Sequence, residues 1–237
     1  MRVQIVTSFP PDWRPLADIT CATMRKYCEK WNYAPLFEDC STRQEKKHTP
    51  WVDDKDPEIG HYVPMRTMIK FPLLEHFMRE EDCGQNNDYV AWIDNDCVVT
   101  NYSVPITKWF DGHDKDLVLA FDVNGVHPTI ILMRNTVLMR GLVWACKEAG
   151  WRMYGMHGWS DIMAFRFMLD YPPYADRVKF FSAQEMCAMP PMVHPMPADV
   201  RSQFEWTPDS WTVHLSALDL QYRVSIAQQF VEKLGLI

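Results

Sequence analysis

Residues 88–100 (DYVAWIDNDCVVT) place the strongest constraint on how this chain folds. The apolar run 89–93 is typical of a strand that is buried on both faces of a sheet. This run stops abruptly at Asp94-Asn95-Asp96. Because ligands bind at the carboxyl ends of strands in open α/β sheets, we expect these polar residues to lie in a binding site.

The residue types of Asp94-Asn95-Asp96 leave two interpretations open. Asp and Asn favour turns because their side chains hydrogen-bond to nearby backbone groups. Two carboxylates beside a buried strand are costly, however, unless a positive charge neutralises them. A hard divalent cation is a natural partner, since it binds carboxylate oxygens and keeps positions for water or phosphate. The flanking buried strand favours the metal site.

Composition and charge limit the class of protein. The 237 residues are 47% apolar and 23% charged, which is typical of one soluble globular domain. A formal net charge of −7 argues against nucleic acid as a partner. Seven cysteines with no CxxC pair indicate reduced thiols and predict a cytoplasmic protein. We expect the chain to begin with a strand and not with a signal peptide, and no apolar run is long enough for a membrane span.

The hydrophobic pattern predicts an α/β domain. A strand at 1–9, a helix at 15–31 and a strand at 33–37 imply a right-handed parallel βαβ unit. Thr7 and Ser8 then lie at a strand's carboxyl end, where they either contact a ligand or complete a turn. Further strands are predicted at 89–93, 116–121, 129–133, 178–181 and 211–214, and helices at 65–80, 136–149, 161–169 and 217–234.

Two segments are predicted to be irregular. Residues 38–61 are polar and broken by prolines, and they are too long for a simple connection. They form either a flap over a bound ligand or a partly disordered segment. Residues 186–208, rich in proline and methionine, are predicted to be a loop.

Four motifs in this order resemble the GT-A class of nucleotide-sugar-dependent glycosyltransferases, in particular the galactosyl-, xylosyltransferase and glycogenin-like families. The first is the DxD sequence Asp94-Asn95-Asp96. The others are 128–136 (PTIILMRNT), 158–164 (GWSDIMA) and 211–216 (WTVHLS). The second motif has His127-Pro128-Thr129 where relatives have Asn-Gly or Asn-Ser, and the third has Asp161-Ile162 where many have Asp-Gln.

The resemblance implies one GT-A-like domain over residues 1–237, with a mixed, mainly parallel sheet flanked by helices. Residues 1–100 would bind the nucleotide sugar, and residues 101–237 would bind the acceptor and supply a metal-binding histidine.

The resemblance also implies a set of metal ligands. Asp96 and His214 would bind the metal, and Asp94 would bind the metal or the ribose of the donor. Mn²⁺ is favoured over Mg²⁺ because imidazole ligation belongs more to transition metals. A histidine between Val213 and Leu215 is otherwise typical of a core position.

Further residues would contact the donor. Thr7, Ser8 and Phe9 match the place where relatives hold a uracil or guanine base, and Asn95 belongs to the same site. Lys70 would contact the phosphate or the sugar, with a solvated helix face as its alternative.

Asp161 and Asp122 are the candidate catalytic residues. Glycosyl transfer passes through an oxocarbenium-like transition state, so a carboxylate near the anomeric carbon is useful. Asp161 matches the family's helix start, although an acid in the first turn of a helix is also stabilised by the helix dipole. Asp122 follows a predicted strand and is a second candidate, for the sugar or for acceptor hydroxyls.

The function implied is metal-dependent transfer of a sugar from a nucleoside-diphosphate sugar, UDP-sugar being favoured, to a carbohydrate or other hydroxyl acceptor. Retention is favoured, and in an inverting enzyme Asp161 or Asp122 would serve as the base. Two alternatives remain: a non-catalytic nucleotide- or carbohydrate-binding protein of the same fold, and a nucleotidyltransferase. The second usually has a Gly-rich loop after the first strand, and Phe9-Pro10-Pro11 offers none.

Overall fold

The computed structural model of the chain describes residues 1–39, 68–79, 86–122, 125–152, 161–191, 197–216 and 218–237. The segment 38–61, predicted as a flap or a partly disordered segment, lies outside these ranges apart from its first two residues. The third motif is described only from Asp161 onward.

The described strands form a six-stranded sheet and a two-stranded sheet. In the large sheet the order is β2-β1-β3-β6-β5-β7. Strand β6 is antiparallel to both of its neighbours, and all other pairs are parallel. The predicted mixed, mainly parallel sheet is therefore confirmed. The strands are β1 (Val3–Phe9), β2 (Ala34–Asp39), β3 (Tyr89–Ile93), β4 (Cys97–Val99), β5 (Leu117–Asp122), β6 (Gly125–Arg134), β7 (Val178–Ser182) and β8 (Thr212–His214).

Helices cover both faces of the large sheet. They are α1 (Arg14–Trp31), α2 (Lys70–Met78), α3 (Val137–Arg152), α4 (Asp161–Leu169), α5 (Pro172–Ala175), α6 (Ala183–Met186), α7 (Ala198–Arg201) and α8 (Leu220–Leu234), with 3-10 turns at Pro11–Trp13 and Ile106–Phe110. Pro72 lies in the first turn of α2, where its missing N–H is tolerated. The short helix α7 lies in a segment predicted to be a loop. Among the described residues, no helix is long and apolar enough to cross a membrane.

Strand β3 separates two hydrophobic clusters. Val90 and Trp92 pack into the cluster under α2, α3 and α4. Ala91 and Ile93 point the opposite way, into the cluster that includes Tyr27 of α1. Side chains alternate between the faces of a strand, and all four of these are 2% exposed or less. The prediction of a strand buried on both faces is confirmed.

Two threonines of α1 hold the connection between β3 and β4. The Thr20 hydroxyl donates to the Asn95 carbonyl at 2.7 Å, and the Thr23 hydroxyl accepts the Val99 amide at 3.2 Å. Both threonines are fully buried. Buried hydroxyls with backbone partners are costly to remove, so α1 fixes the position of this turn.

The small sheet brings a late part of the chain to the same place. Strands β4 and β8 are antiparallel, with Cys97 opposite His214. The Leu215 amide donates to the Asp96 carbonyl at 2.9 Å. This pairing places His214 beside the end of β3.

We expect Thr20→Val to lower the free energy of unfolding by about 1–2 kcal/mol, because the Asn95 carbonyl loses its buried donor at nearly constant side-chain volume. Urea denaturation measures this change. Thr20→Ser keeps the hydroxyl and serves as the control. A valine variant that is as stable as the serine variant would contradict the proposed tether.

Candidate active site

The Asp94-Asn95-Asp96 turn lies at the carboxyl edge of the large sheet. The Cys97 amide closes it by donating to the Asp94 carbonyl at 3.0 Å. Strand β1 runs parallel beside β3, so Thr7, Ser8 and Phe9 reach the same edge. The structure thus brings the predicted base-binding strand next to the predicted metal-binding turn.

Lys70 is the buried cation of the site. It is 1% exposed, and its Nζ donates to Asp161 Oδ2 at 2.5 Å and to the Pro128 carbonyl at 3.0 Å. The same nitrogen lies 3.2 Å from Asp94 Oδ1. The alternative of a solvated lysine does not hold, because Lys70 joins α2 to α4 and to the turn after β3.

The charges of this group depend on one another. Burial lowers the pKa of Lys70, but Asp161 and Asp94 outweigh that effect and raise it, so the ammonium stays charged. Burial raises the pKa of Asp94, opposed by Lys70 and reinforced by Asp96 and Asp161. The Trp92 indole N–H also donates to Asp94 Oδ1 at 2.5 Å. Asp94 is therefore held by two donors of the chain itself.

Asp96 has its own partners. Arg223 Nη1 donates to Asp96 Oδ2 at 2.5 Å, and His214 Nε2 lies 3.3 Å from Asp96 Oδ1. Burial would raise the pKa of Asp96, but His214 and Arg223 lower it to about 2. Arg223, on the first turn of α8, was not predicted as a site residue. No motif marks it, because its partner is 127 residues away in sequence.

A second histidine extends the site toward β5. The rings of His127 and His214 are 5.2 Å apart. His127 Nε2 lies 3.7 Å from Asp122 Oδ2, and its Nδ1 lies 3.9 Å from Cys187 Sγ. Burial, with the charges of His214 and Lys70, lowers the pKa of His127 to about 3, so the ring is neutral near pH 7. Asp122 therefore lies beside His127 in the candidate site. In the sequence, His127 stands out only as a departure from the family motif.

Part of the implied metal site fits a divalent ion. Among the described residues, Asp96, Cys97 and His214 offer ligand atoms within 4.8 Å of one another. Burial raises the pKa of the Cys97 thiol, so it stays protonated and is a poor ligand for Mn²⁺ or Mg²⁺. Asp96 and His214 suit neighbouring positions on one ion. Asp94 is not in this group, and its metal contact stays a prediction.

The predicted base-binding residues are all buried. Thr7 is fully buried, and its hydroxyl has no hydrogen-bond partner within the described ranges. The Asn95 side-chain amide likewise lacks a partner there. Phe9 packs against α1 with the Arg14 guanidinium over its ring at 5.7 Å. Thr7 and Asn95 therefore have polar groups available for a ligand within the described part of the chain. The Phe9 ring, by contrast, is already covered by Arg14.

Solved glycosyltransferase structures match this arrangement of strands and helices over nearly the whole chain. A glycosyltransferase involved in the glycosylation of the major capsid of PBCV-1 is 12% identical, with a TM-score of 0.65 over 97% of this chain and 100% of that one. The chain has the GT-A fold. The galactosyltransferase LgtC, solved with donor and acceptor sugar analogues, is 11% identical, with a TM-score of 0.58 over 98% of this chain and 95% of that one.

A third GT-A match is mouse xyloside xylosyltransferase 1, which is 10% identical, with a TM-score of 0.55 over 92% of this chain and 98% of that one. No protein-family model and no curated protein sequence matches the chain. Identities this low show the fold alone, so what the site does must be argued from its own residues.

We expect Asp96→Asn to lower the free energy of unfolding by about 2 kcal/mol at pH 7. The pKa of Asp96 is about 2 in the folded chain, against 3.8 for an unperturbed aspartate. Its contribution is therefore present above pH 4 and is lost as the pH falls toward 2. Urea unfolding of wild type and variant at pH 7, 4 and 3, with a chelator present, measures this. Asp88→Asn, on an exposed carboxylate, is the control. A difference that stays constant down to pH 3 would argue against the assignment.

We expect Lys70→Met to cost about 3–5 kcal/mol of stability, because it leaves the buried Asp161 and the partly exposed Asp94 without their cation. Adding Asp161→Asn should restore part of this loss. Chemical denaturation of the two single variants and the double variant gives the coupling energy. Lys147→Met is the control, because Lys147 pairs with Glu75 at a more exposed position. Independent, additive effects at Lys70 and Asp161 would refute the coupled ion pair.

Proposed function

We propose that this chain is a metal-dependent glycosyltransferase that moves a sugar from a nucleoside-diphosphate sugar, UDP-sugar first, to a hydroxyl acceptor. One observation carries the proposal. At the carboxyl edge of a GT-A sheet, Asp96 lies 3.3 Å from His214, and Asp94 lies 3.2 Å from the Lys70 ammonium. Two carboxylates, an imidazole and a buried ammonium group that lie close together suit the binding of a diphosphate and its metal ion.

Asp96 and His214, with Asp94, are the residues that would hold Mn²⁺ or Mg²⁺. When bound, such an ion supplies Lewis-acid stabilisation for the charge that develops on the leaving diphosphate. Thr7, Ser8 and Asn95 would contact the nucleoside, and Phe9, whose ring Arg14 covers, would support them by packing. Donor binding would then belong to residues 1–100.

Asp161 would face the anomeric carbon. Lys70 pairs with Asp161 in a buried position, and a carboxylate there would stabilise the positive charge of an oxocarbenium-like transition state. Retention is favoured because Asp161 is committed to an ion pair and is a poor general base. The bond from the anomeric carbon to the phosphate oxygen breaks, and a bond to the acceptor oxygen forms on the same face. The acceptor proton passes to the departing phosphate.

The acceptor would be bound by residues 101–237. Asp122 and neutral His127 offer hydrogen-bonding groups to sugar or acceptor hydroxyls. A carbohydrate acceptor would suit these hydrogen-bonding groups, whereas the net charge of −7 disfavours nucleic acid as an acceptor. The described cysteines are free and buried, which supports a cytoplasmic location.

Titration calorimetry of UDP and GDP, with and without Mn²⁺, tests this function. We expect UDP to bind in the presence of Mn²⁺ and to bind at least about tenfold more weakly to Asp96→Asn. Asp88→Asn, at the opposite end of β3, should bind as the wild type does. Failure of both nucleotides to bind under every metal condition would refute the proposed function. Metal-dependent binding without transfer from any UDP-sugar would favour the non-catalytic alternative.

A further inference from the structure

Arg223 is held on three sides. Its Nη1 donates to Asp96 Oδ2 at 2.5 Å, and its Nε donates to the Leu218 carbonyl at 2.7 Å. The guanidinium carbon lies 4.7 Å from the centre of the Trp13 ring. Its side chain is 12% exposed. A guanidinium fixed in this way keeps donors for a further anion, since it carries five N–H groups.

The position of Arg223 is locally unfavourable. It lies in the first turn of α8, after the N-cap residue Asp219. The amino end of a helix carries a partial positive charge, so a cation there opposes the helix dipole. The contact with Asp96 offsets that cost. A residue that breaks a local rule and forms its ion pair at the candidate active site is expected to serve that site.

Arg223 and a divalent ion require the same carboxylate. Both oxygens of Asp96 are already engaged, because one accepts from Arg223 and the other faces His214. An ion bound between Asp96 and His214 would bring a double positive charge close to the guanidinium. Like charges a few ångströms apart in a partly buried site repel strongly. Each cation would therefore weaken the contact of the other with Asp96.

We propose that Arg223 competes with the divalent ion for Asp96, and that the displaced guanidinium then binds the diphosphate of the donor. The second half rests on the proposed function. Trp13 packs against the cluster that includes Phe9 of the predicted base site, so Arg223 contacts both a neighbour of that site and Asp96. A diphosphate that joins a base at Phe9 to a metal at Asp96 would pass close to this guanidinium. Paired guanidinium and phosphate groups make strong, charge-assisted hydrogen bonds.

The first experiment measures binding of Mn²⁺ alone, from the electron paramagnetic resonance signal of the free ion. We expect Arg223→Gln to bind Mn²⁺ about 10- to 100-fold more tightly than the wild type, because the competing charge is gone. Arg223→Lys keeps a cation beside Asp96 and should stay within about threefold of the wild type. Arg201→Gln removes a partly exposed arginine outside the site and should change nothing. Adding Asp96→Asn to Arg223→Gln should abolish the gain.

The second experiment titrates UDP at saturating Mn²⁺. Here Arg223→Gln should bind about tenfold more weakly than the wild type, although it binds the ion more tightly. A residue that only supports the fold would not shift the two affinities in opposite directions.

Each outcome decides one part of the proposal. Unchanged, weaker or absent Mn²⁺ binding in Arg223→Gln, with cooperative thermal unfolding retained, overturns the competition. If Arg223→Gln does not fold, an Arg223→Lys variant that binds Mn²⁺ as tightly as expected for the glutamine variant overturns it. Undiminished UDP binding in Arg223→Gln overturns the role at the diphosphate. A wild type that binds Mn²⁺ but never UDP refutes the glycosyltransferase proposal and leaves the Mn²⁺ comparison standing.

Discussion

The structure depends on neutralising carboxylates that are buried or partly buried beside the end of a central strand. Asp94, Asp96 and Asp161 lie together at the carboxyl edge of the sheet, where unpaired charges would be expensive. Lys70 offsets the charge of Asp94 and Asp161, and Arg223 offsets that of Asp96. These two cations come from α2 and α8, so neutralising the site also fixes two helices against the sheet. The same ion pairs therefore neutralise the candidate site and hold the two helices in place.

Much of the fold follows from short-range patterns. The apolar run of β3, the proline stop after β1 and the helical spacing in α1 are local signals, and the elements lie where these signals predict. The site is harder to predict, because its partners come from distant segments. The end of a buried strand marks Asp94 and Asp96 as candidates, whereas His214 is a candidate only through its resemblance to a family motif. The contacts of Lys70 with Asp161 and of Arg223 with Asp96 depend on how whole elements pack, which no window of sequence contains.

Two histidines show what sequence patterns can and cannot predict about the site. His214 looked like a core residue by its apolar neighbours, and it is buried at 5% exposure. The same histidine lies 3.3 Å from Asp96, so burial and a place in the site are compatible. His127 carried no functional signal of its own. Only the β5–β6 pairing and the position of β8 show that it lies between Asp122 and His214.

The pairing of β4 with β8 has a consequence for synthesis of the protein. Asp96 is made early, whereas His214 and Arg223 leave the ribosome more than a hundred residues later. Until β8 is available, Asp96 has neither of these two partners, and the nascent chain exposes an unsatisfied strand next to it. Long-range pairing of this kind forms slowly because the loop must close first. Assembly of the candidate site is thus a late event, and a chain that ends before β8 lacks two of its side chains.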